Sequence, residues 1–228
     1  MLASIRAHEA DVFGTSLKRV HWEQNAIIIE EGRPIEYALF PIDCVLSRLV
    51  EVEGGKSIAI GLVGSEGFAG IPLLLGASAG NANLVVQIPG SAMRVRSDEF
   101  LNRVVASRNE VYATLLRYAN MFMTMTAQIA GCNSLHTLEQ RLANWILMTL
   151  DRTENPELPM THAFMSQILG VRRPTVTLIA TTLRERGLIN YTRGKVRVLD
   201  HTRLEQMACE CYAILRRLSE DIFEDPAA

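Results

Sequence analysis

Long apolar runs are missing from this sequence. Although 48% of the 228 residues are hydrophobic, no stretch of eighteen or more residues is both apolar and uncharged. A membrane-spanning helix needs such a run, so none is expected. The first residues carry charges at Arg6, Glu9 and Asp11 where a secretory signal would have an apolar centre. We therefore expect a cytoplasmic protein with no membrane partner.

Cysteine is scarce, and its spacing does not suit a metal site. Cys44, Cys132, Cys209 and Cys211 form neither a Cys-x-x-Cys pair nor a disulfide framework. Cys209 and Cys211 are two residues apart, a spacing that would point them to different sides of one helix. The expectation is four reduced structural thiols, with no metal ligands among them.

A large net charge is also missing, because the formal charge of the whole chain is only −2. The distribution is uneven, however. Residues 161–203 contain eight Lys/Arg and two Asp/Glu, whereas residues 204–228 contain two and six. A basic segment inside an acidic chain is typical of a surface that binds a polyanion.

The first third of the chain consists of short apolar segments separated by turn residues. This pattern predicts an antiparallel sandwich or barrel. Glu53-Gly54-Gly55-Lys56 has the composition of a hairpin turn between two of the strands. The predicted strands cover residues 26–29, 37–40, 45–50, 57–60, 84–88 and 92–95.

A long helix is predicted after the strands. Its apolar residues alternate in steps of four and three, and no Asp, Glu, Lys or Arg occurs between Tyr118 and Leu138. Such a seam predicts a helix that pairs with a second copy, and packing within its own domain is the alternative. The predicted dimer interface consists of Val111, Leu115, Tyr118, Phe122, Met125 and Ile129.

Two short helices and a hairpin are predicted further along. Thr161 can cap a helix that ends at Gly170, and Pro174 suits the first position of a second helix over residues 174–186. Two helices joined by a tight glycine turn form a helix-turn-helix. The hairpin over residues 188–199 has the basic tip Arg193-Gly194-Lys195 and would form a wing beside it.

This arrangement predicts contacts with double-stranded DNA. Arginine at a helix start can bind guanine in the major groove, and a basic wing can bind phosphates. A dimer would read an inverted repeat through the helix 174–186. The predicted DNA-binding residues are Thr161, His162, Arg172, Arg173, Thr175, Thr177, Leu178, Thr181, Arg193 and Lys195.

The chain also resembles the cyclic-AMP receptor protein / fumarate-nitrate reduction regulator (CRP/FNR) family. Residues 160–189, MTHAFMSQILGVRRPTVTLIATTLRERGLI, resemble its DNA-binding signature, and residues 27–76 resemble its β-roll. The resemblance implies an α+β homodimer with a β-roll sensor domain and an N-terminal helical segment (1–97). A dimerisation helix (98–132) and a winged helix-turn-helix domain with an extra C-terminal helix (133–228) would follow. It further implies RNA polymerase as a partner.

The sensor segment departs from the family pattern. Cyclic-nucleotide binders of the family hold the ligand with a Gly-Glu pair and a later arginine. Here Ile71 follows Gly70, and no arginine occurs near residues 80–83. The cysteines and histidines do not match its iron–sulfur or heme members either. Cyclic AMP, heme and an iron–sulfur cluster are therefore not expected, and no cofactor is identified. Candidate pocket residues are Phe68, Gly70, Ile71, Leu73, Asn81 and Asn83.

Two other classes of function are weaker interpretations of this sequence. A cupin-like metal-dependent enzyme needs a His-x-His motif, but the five histidines are scattered singly. Gly54-Gly55-Lys56-Ser57 resembles the end of a phosphate loop, yet Val50 stands where its first glycine should be. A dimeric scaffold that does not bind DNA would leave the basic segment unexplained. No catalytic residues are predicted.

Overall fold

The N-terminal half of the chain is a β-roll of two antiparallel sheets. The computed structural model describes Met1, residues 12–54 and residues 56–220. The sheet orders are β1-β7-β3 and β2-β6-β4-β5. The strands are β1 (Lys18–Trp22), β2 (Ile27–Ile29), β3 (Tyr37–Pro41), β4 (Val45–Val52), β5 (Lys56–Val63), β6 (Asn83–Ile88) and β7 (Gly90–Arg96), with helix α1 (Ile71–Leu74) before β6.

The β-roll confirms the predicted antiparallel fold and adds one strand to it. Strand β1, Lys-Arg-Val-His-Trp, was not predicted because it contains little apolar signal. It pairs with β7 alone, and charged residues are common in such edge strands. The predicted N-terminal helical segment falls mostly on residues 2–11, outside the described residues, and Gly14–Ser16 forms one 3-10 turn.

The long helix is shorter than predicted at its start. Residues 98–132 do not form one helix. Helix α2 (Ser97–Phe100) continues into a π-helical turn (Leu101–Val105), and Arg108 then has a φ of 49°. Helix α3 (Glu110–Leu135) begins after the break, where the Asn109 side chain accepts a hydrogen bond from the Tyr112 amide at 3.0 Å.

The heptad seam of α3 packs against its own β-roll. The Tyr118 ring lies 5.5 Å from the Phe68 ring, centroid to centroid. Gly67 allows this contact, because a side chain there would collide with the Tyr118 hydroxyl. Val111, Leu115, Tyr118, Phe122, Met125 and Ile129 are each at most 5% exposed within a single chain. The prediction that they form the dimer interface is therefore wrong, because no partner could reach them.

The opposite side of α3 faces solvent and has the same alternating spacing. Its residues are alanine, serine, asparagine, methionine and leucine, and none is charged. Met123 is 56% exposed. We call this surface the outer face of α3, and it consists of Leu116, Asn120, Met123, Ala127, Ala130 and Ser134.

The C-terminal half is a winged helix-turn-helix fold. Its strands β8, β9 and β10 form a sheet of order β8-β10-β9. Strand β8 lies in the polar segment 152–159, for which no strand was predicted, and the predicted single C-terminal helix is divided into two. The elements are α4 (Leu138–Leu150), β8 (Glu157–Pro159), α5 (His162–Leu169), α6 (Arg173–Glu185), β9 (Ile189–Thr192), β10 (Lys195–Val198), α7 (His201–Met207) and α8 (Cys211–Glu220).

A buried polar network joins the two halves. The Gln87 side chain on β6 accepts hydrogen bonds from Ser47 Oγ at 2.6 Å and from Trp145 Nε1 at 3.0 Å. It donates to Thr149 Oγ1 at 2.8 Å. Because both polar atoms of this buried amide group have partners, the network fixes α4 against the β-roll.

Among the described residues, no helix combines the length and hydropathy needed to cross a bilayer.

Candidate DNA-binding surface and ligand pocket

The predicted helix-turn-helix is confirmed in its local geometry. Thr161 Oγ1 accepts a hydrogen bond from the Phe164 amide at 3.1 Å and so caps α5. Gly170 ends α5 in the left-handed conformation, with a φ of 69°. Helix α6 begins at Arg173, so Pro174 is its second residue and not its first as predicted. Both positions lie in the first turn, where the missing amide of proline costs no hydrogen bond.

Helix α6 has one buried and one exposed side. Val176, Ile179, Ala180 and Leu183 are at most 3% exposed and hold the helix on its domain. Arg173, Thr177 and Leu178 lie on the exposed side, and Leu178 is 68% exposed. Thr175 and Thr181 are half-buried. The exposed side offers a basic, hydroxylic and apolar surface to a partner.

The two arginines before Pro174 are available to an external ligand. Arg172 and Arg173 are exposed, and within the part of the chain that the structure describes neither guanidinium has an acidic partner. Arg172 occupies the N-cap position of α6, where its side chain makes no capping hydrogen bond. An anion at this helix start would meet both guanidinium groups and the positive end of the helix dipole.

The wing places a second group of charges close to α5. Arg193 and Gly194 form its turn with φ values of 51° and 77°, and the Met160 amide donates to the Gly194 carbonyl at 2.8 Å. Arg193 is exposed and has no acidic partner among the described residues. Lys195 Nζ lies 3.3 Å from Glu157 Oε2 on β8, so its charge already has a partner.

Sequence reasoning missed Arg197 on β10. The order Lys195, Val196, Arg197 alternates exposed, buried, exposed, so Arg197 lies on the same face as Lys195. The period of two in that strand was the signal that could have identified it. Arg197 extends the basic face of the wing.

His162 is placed differently from the prediction. Its ring stacks on Tyr191 with centroids 4.5 Å apart, and its Nδ1 lies 3.2 Å from Thr177 Oγ1. Its Nε2 is buried without a hydrogen-bond partner among the described residues. The predicted contact of His162 with DNA is therefore not supported. The ring instead links α5 to α6 and to the wing.

A cavity of about 430 Å³ lies between the β-roll and α3. Four of the six predicted pocket residues, Phe68, Gly70, Ile71 and Asn81, line it. Leu73 and Asn83 do not. Leu73 is 2% exposed in the core, and the Asn83 side chain hydrogen-bonds the Glu31 amide and the Glu51 carboxylate instead. The prediction that Leu73 and Asn83 line the pocket is therefore wrong.

Arg48 supplies a cation that the sequence argument did not find. It extends from β4 into the cavity, where its Nη2 donates to Asn81 Oδ1 at 2.9 Å. Its guanidinium carbon lies 5.6 Å from the centroid of the Phe122 ring. Burial lowers the pKa of Arg48, yet an arginine stays charged at neutral pH. The signal in the sequence was one arginine inside the apolar segment Val45–Val50.

Apart from Arg48, Asn81 and Thr126, the cavity walls are apolar. Ile29, Val63 and Leu84 form them, together with Phe122 and other residues of α3. Three residues of the outer face, Met123, Ala127 and Ala130, also line the cavity. A molecule in the cavity would therefore contact the helix surface that lies open to solvent.

Three cysteines, Cys132, Cys209 and Cys211, lie close together in the folded chain. Cys209 precedes α8 and Cys211 is its first residue, so the two do not point to different sides of one helix as expected. Both are buried beside Cys132 of α3, and His136 completes the group. Sequence spacing could not show this, because α3 and α8 are brought together only by the fold.

Comparisons with known proteins agree with this geometry. The family model for the Crp-like helix-turn-helix domain matches residues 140–207. The FixK2 structure from Bradyrhizobium japonicum has 14% identity and a TM-score of 0.69, covering 85% of this chain and 98% of its own. Two regulators from Thermus thermophilus are also similar. TTHB099 of the CRP family has 17% identity and a TM-score of 0.66, covering 84% of this chain and 96% of its own. TTHA1359 of the CRP/FNR family has 20% identity and a TM-score of 0.64, covering 84% of this chain and 98% of its own.

At such low identity, the solved structures establish the fold alone. No curated protein matches the chain in a sequence comparison. The domain match covers α4 to α7, which includes both helices of the helix-turn-helix and the wing.

Proposed function

We propose that this chain is a transcriptional regulator that binds an inverted-repeat DNA site as a homodimer. It carries a Crp-like helix-turn-helix domain on the fold of the CRP/FNR regulators. The observation that carries the proposal is the helix start at Arg172 and Arg173, where two exposed guanidinium groups have no acidic partner among the described residues. A partner with phosphates and guanine edges would satisfy both the charge and the shape of this surface.

The homodimer is proposed to form through the outer face of α3. Its small residues Ala127, Ala130 and Ser134 follow one another in steps of three and four, which allows two helix backbones to approach closely along this part of the seam. Such a dimer would present two copies of α6, roughly 34 Å apart, to successive major grooves. RNA polymerase is proposed as a further partner, on the resemblance to the family.

DNA binding is tested by selecting duplexes from a random pool with the purified protein. We expect the selected sites to contain two half-sites related by a dyad, because a two-fold symmetric protein contacts a two-fold symmetric site. Fluorescence anisotropy should then show affinity for a selected duplex about a thousandfold higher than for a scrambled one. Equal affinity for both duplexes at all salt concentrations would contradict sequence-specific recognition.

The cavity beside α3 is proposed to sense an amphipathic anion. Apolar walls suit a hydrocarbon or aromatic body, and Arg48 suits one acidic group at its end. The usual cyclic-nucleotide contacts are still missing, because Ile71 offers no acceptor for a ribose hydroxyl. Within the described residues, the cavity lining includes no histidine, cysteine or carboxylate, so a cupin-like metal centre in this cavity is not supported.

The ligand class can be tested with anilinonaphthalene sulfonate, a fluorescent probe with an aromatic body and one anionic group. We expect saturable binding that Arg48→Met weakens by about tenfold or more, because a charge-assisted hydrogen bond contributes roughly 1.5–3 kcal/mol. Arg33→Met is the matched control, since Arg33 is exposed on the same β-roll and does not line the cavity. Cyclic AMP should show no low-micromolar binding by calorimetry. Equal probe affinity in both variants would contradict the role of Arg48.

A further inference from the structure

The group of cysteines between α3 and α8 has the composition of a metal site. Cys132 and His136 are four residues apart at the end of α3, and Cys209 and Cys211 flank the turn before α8. Their three sulfurs and one ring nitrogen all lie within 4.8 Å of one another. Three of the four residues are buried, and His136 is half-buried.

The distances agree with tetrahedral coordination. Bond lengths of about 2.3 Å to sulfur and 2.0–2.1 Å to nitrogen give edges of roughly 3.8 Å between two sulfurs and 3.5 Å between sulfur and nitrogen. Cys132 Sγ lies 3.5 Å from Cys209 Sγ, and Cys211 Sγ lies 3.6 Å from His136 Nδ1. An ion at the centre of the group could therefore be bound with only small side-chain movements.

His136 is oriented as a metal ligand. Its Nδ1 faces Cys211, while its Nε2 lies 3.2 Å from Glu210 Oε1. A ligating histidine usually donates its other ring N–H to a carboxylate, which sets the tautomer and makes the ligating nitrogen more basic. Glu210 supplies this carboxylate from the residue between the two cysteines.

Two amide side chains donate to the sulfurs. Asn144 Nδ2 lies 2.8 Å from Cys209 Sγ, and Asn144 Oδ1 accepts from the Cys209 backbone amide at 3.2 Å. Gln128 Nε2 donates to Cys211 Sγ at 3.1 Å. A neutral thiol is a weak acceptor, whereas a metal-bound thiolate carries the negative charge that such donors stabilise. The half-buried Arg141 lies beside Cys132 and adds a compensating positive charge.

We propose that Cys132, His136, Cys209 and Cys211 bind one Zn²⁺ ion as a closed structural site. Three sulfurs and one imidazole nitrogen in a tetrahedron suit zinc, and with four protein ligands no position remains open for a substrate. The ion would tie α8 to the end of α3, and through Asn144 it would also hold α4. The inference does not depend on DNA binding, because it rests on this cluster alone.

The test starts with full-length protein purified without a polyhistidine tag and with a phosphine reductant. Elemental analysis is expected to find one zinc per chain. X-ray absorption at the zinc edge should report three sulfur ligands and one nitrogen ligand. Less than about a tenth of an equivalent of any transition metal, with no uptake of added Zn²⁺ or Co²⁺, would overturn the proposal.

Variants show whether the metal is bound by these four residues. Cys132→Ser and Cys211→Ser are expected to lose the zinc, and His136→Ala should lower its affinity by about 10-fold or more. Cys44→Ser is the matched control, because Cys44 is a buried cysteine of the β-roll. Zinc retained in Cys211→Ser, or lost equally in Cys44→Ser, would place the metal elsewhere.

Two other outcomes would also overturn the zinc site. If the wild-type protein contains iron and shows visible absorption bands, the site is an iron centre and not a zinc site. A Cys132–Cys209 disulfide found by mass spectrometry in protein prepared without reductant, together with no metal in the reduced protein, would make the cluster a redox pair. If the serine variants do not fold, absorption spectroscopy of the wild type still decides, because it reads the ligand atoms directly.

Discussion

Replacing Arg173 by alanine is expected to weaken binding to a selected inverted-repeat duplex by about 1–3 kcal/mol per half-site, roughly 5- to 150-fold. Binding to a scrambled duplex should change little. Arg173 is the first residue of α6 and is exposed without an acidic partner among the described residues, so its guanidinium breaks no ion pair on reaching a base edge. The measurement is anisotropy of each labelled duplex at several salt concentrations.

The wing provides the matched comparison for this prediction. Arg193→Ala should weaken binding to both duplexes alike and lower the salt dependence by about one phosphate contact per half-site. Lys195→Ala should have a smaller effect, because Lys195 already pairs with Glu157. If Arg173→Ala lowers affinity equally for both duplexes, Arg173 contacts the backbone and not a base. If neither Arg172→Ala nor Arg173→Ala changes binding, α6 does not enter the groove.

The helix-turn-helix could be predicted closely because its signals are local. Thr161 caps α5, Gly170 ends it in a left-handed conformation, and Pro174 lies in the first turn of α6. Each of these features depends on a few neighbouring residues, and the sequence displays them directly. The buried stripe of α6 follows from the same helical period. Strands β1 and β8 were missed because both are short edge strands with polar residues.

Features that depend on distant residues could not be predicted in this way. The cysteine cluster joins residues 132–136 to residues 209–211, and Arg48 enters a cavity formed by α1, α3 and strands of the β-roll. No spacing rule connects such positions. The prediction that the seam of α3 forms the dimer interface failed for another reason. A period of 3.5 residues shows that one side of a helix packs against something, but it does not show what.

In the structure, the side of α3 that was predicted to be the dimer interface is buried, and the opposite side faces solvent. The large apolar side chains of the predicted seam fill the core, for example Phe122 against the backbone of Gly61. The outer face has smaller residues that contribute little to an apolar count. Ala127 and Ala130 leave room for a second helix backbone, and Leu116 and Met123 can fill the spaces along the seam. A dimer through this face would also cover the open side of the cavity beside α3, because Met123, Ala127 and Ala130 line it.

Ala127→Glu is expected to convert the protein to monomers at micromolar concentration and to reduce affinity for the inverted repeat by about a hundredfold or more. Two carboxylates would be buried against each other across the seam. A monomer would also lose the avidity of two linked half-site contacts, which is worth roughly 10²–10⁴-fold. Sedimentation measures the first effect and anisotropy the second. Ile27→Glu is the control, because Ile27 is an exposed apolar residue of β2 on the edge of its sheet.

A charge exchange separates loss of the interface from loss of the fold. Ala127→Lys alone should also give monomers, but an equimolar mixture of Ala127→Glu and Ala127→Lys should form heterodimers, since opposite charges would meet where the two helices cross at this position. Circular dichroism should show unchanged helix content in both variants. A wild-type monomer in sedimentation, or an Ala127→Glu variant that remains dimeric and binds the inverted repeat normally, would exclude the outer face of α3 as the contact between subunits.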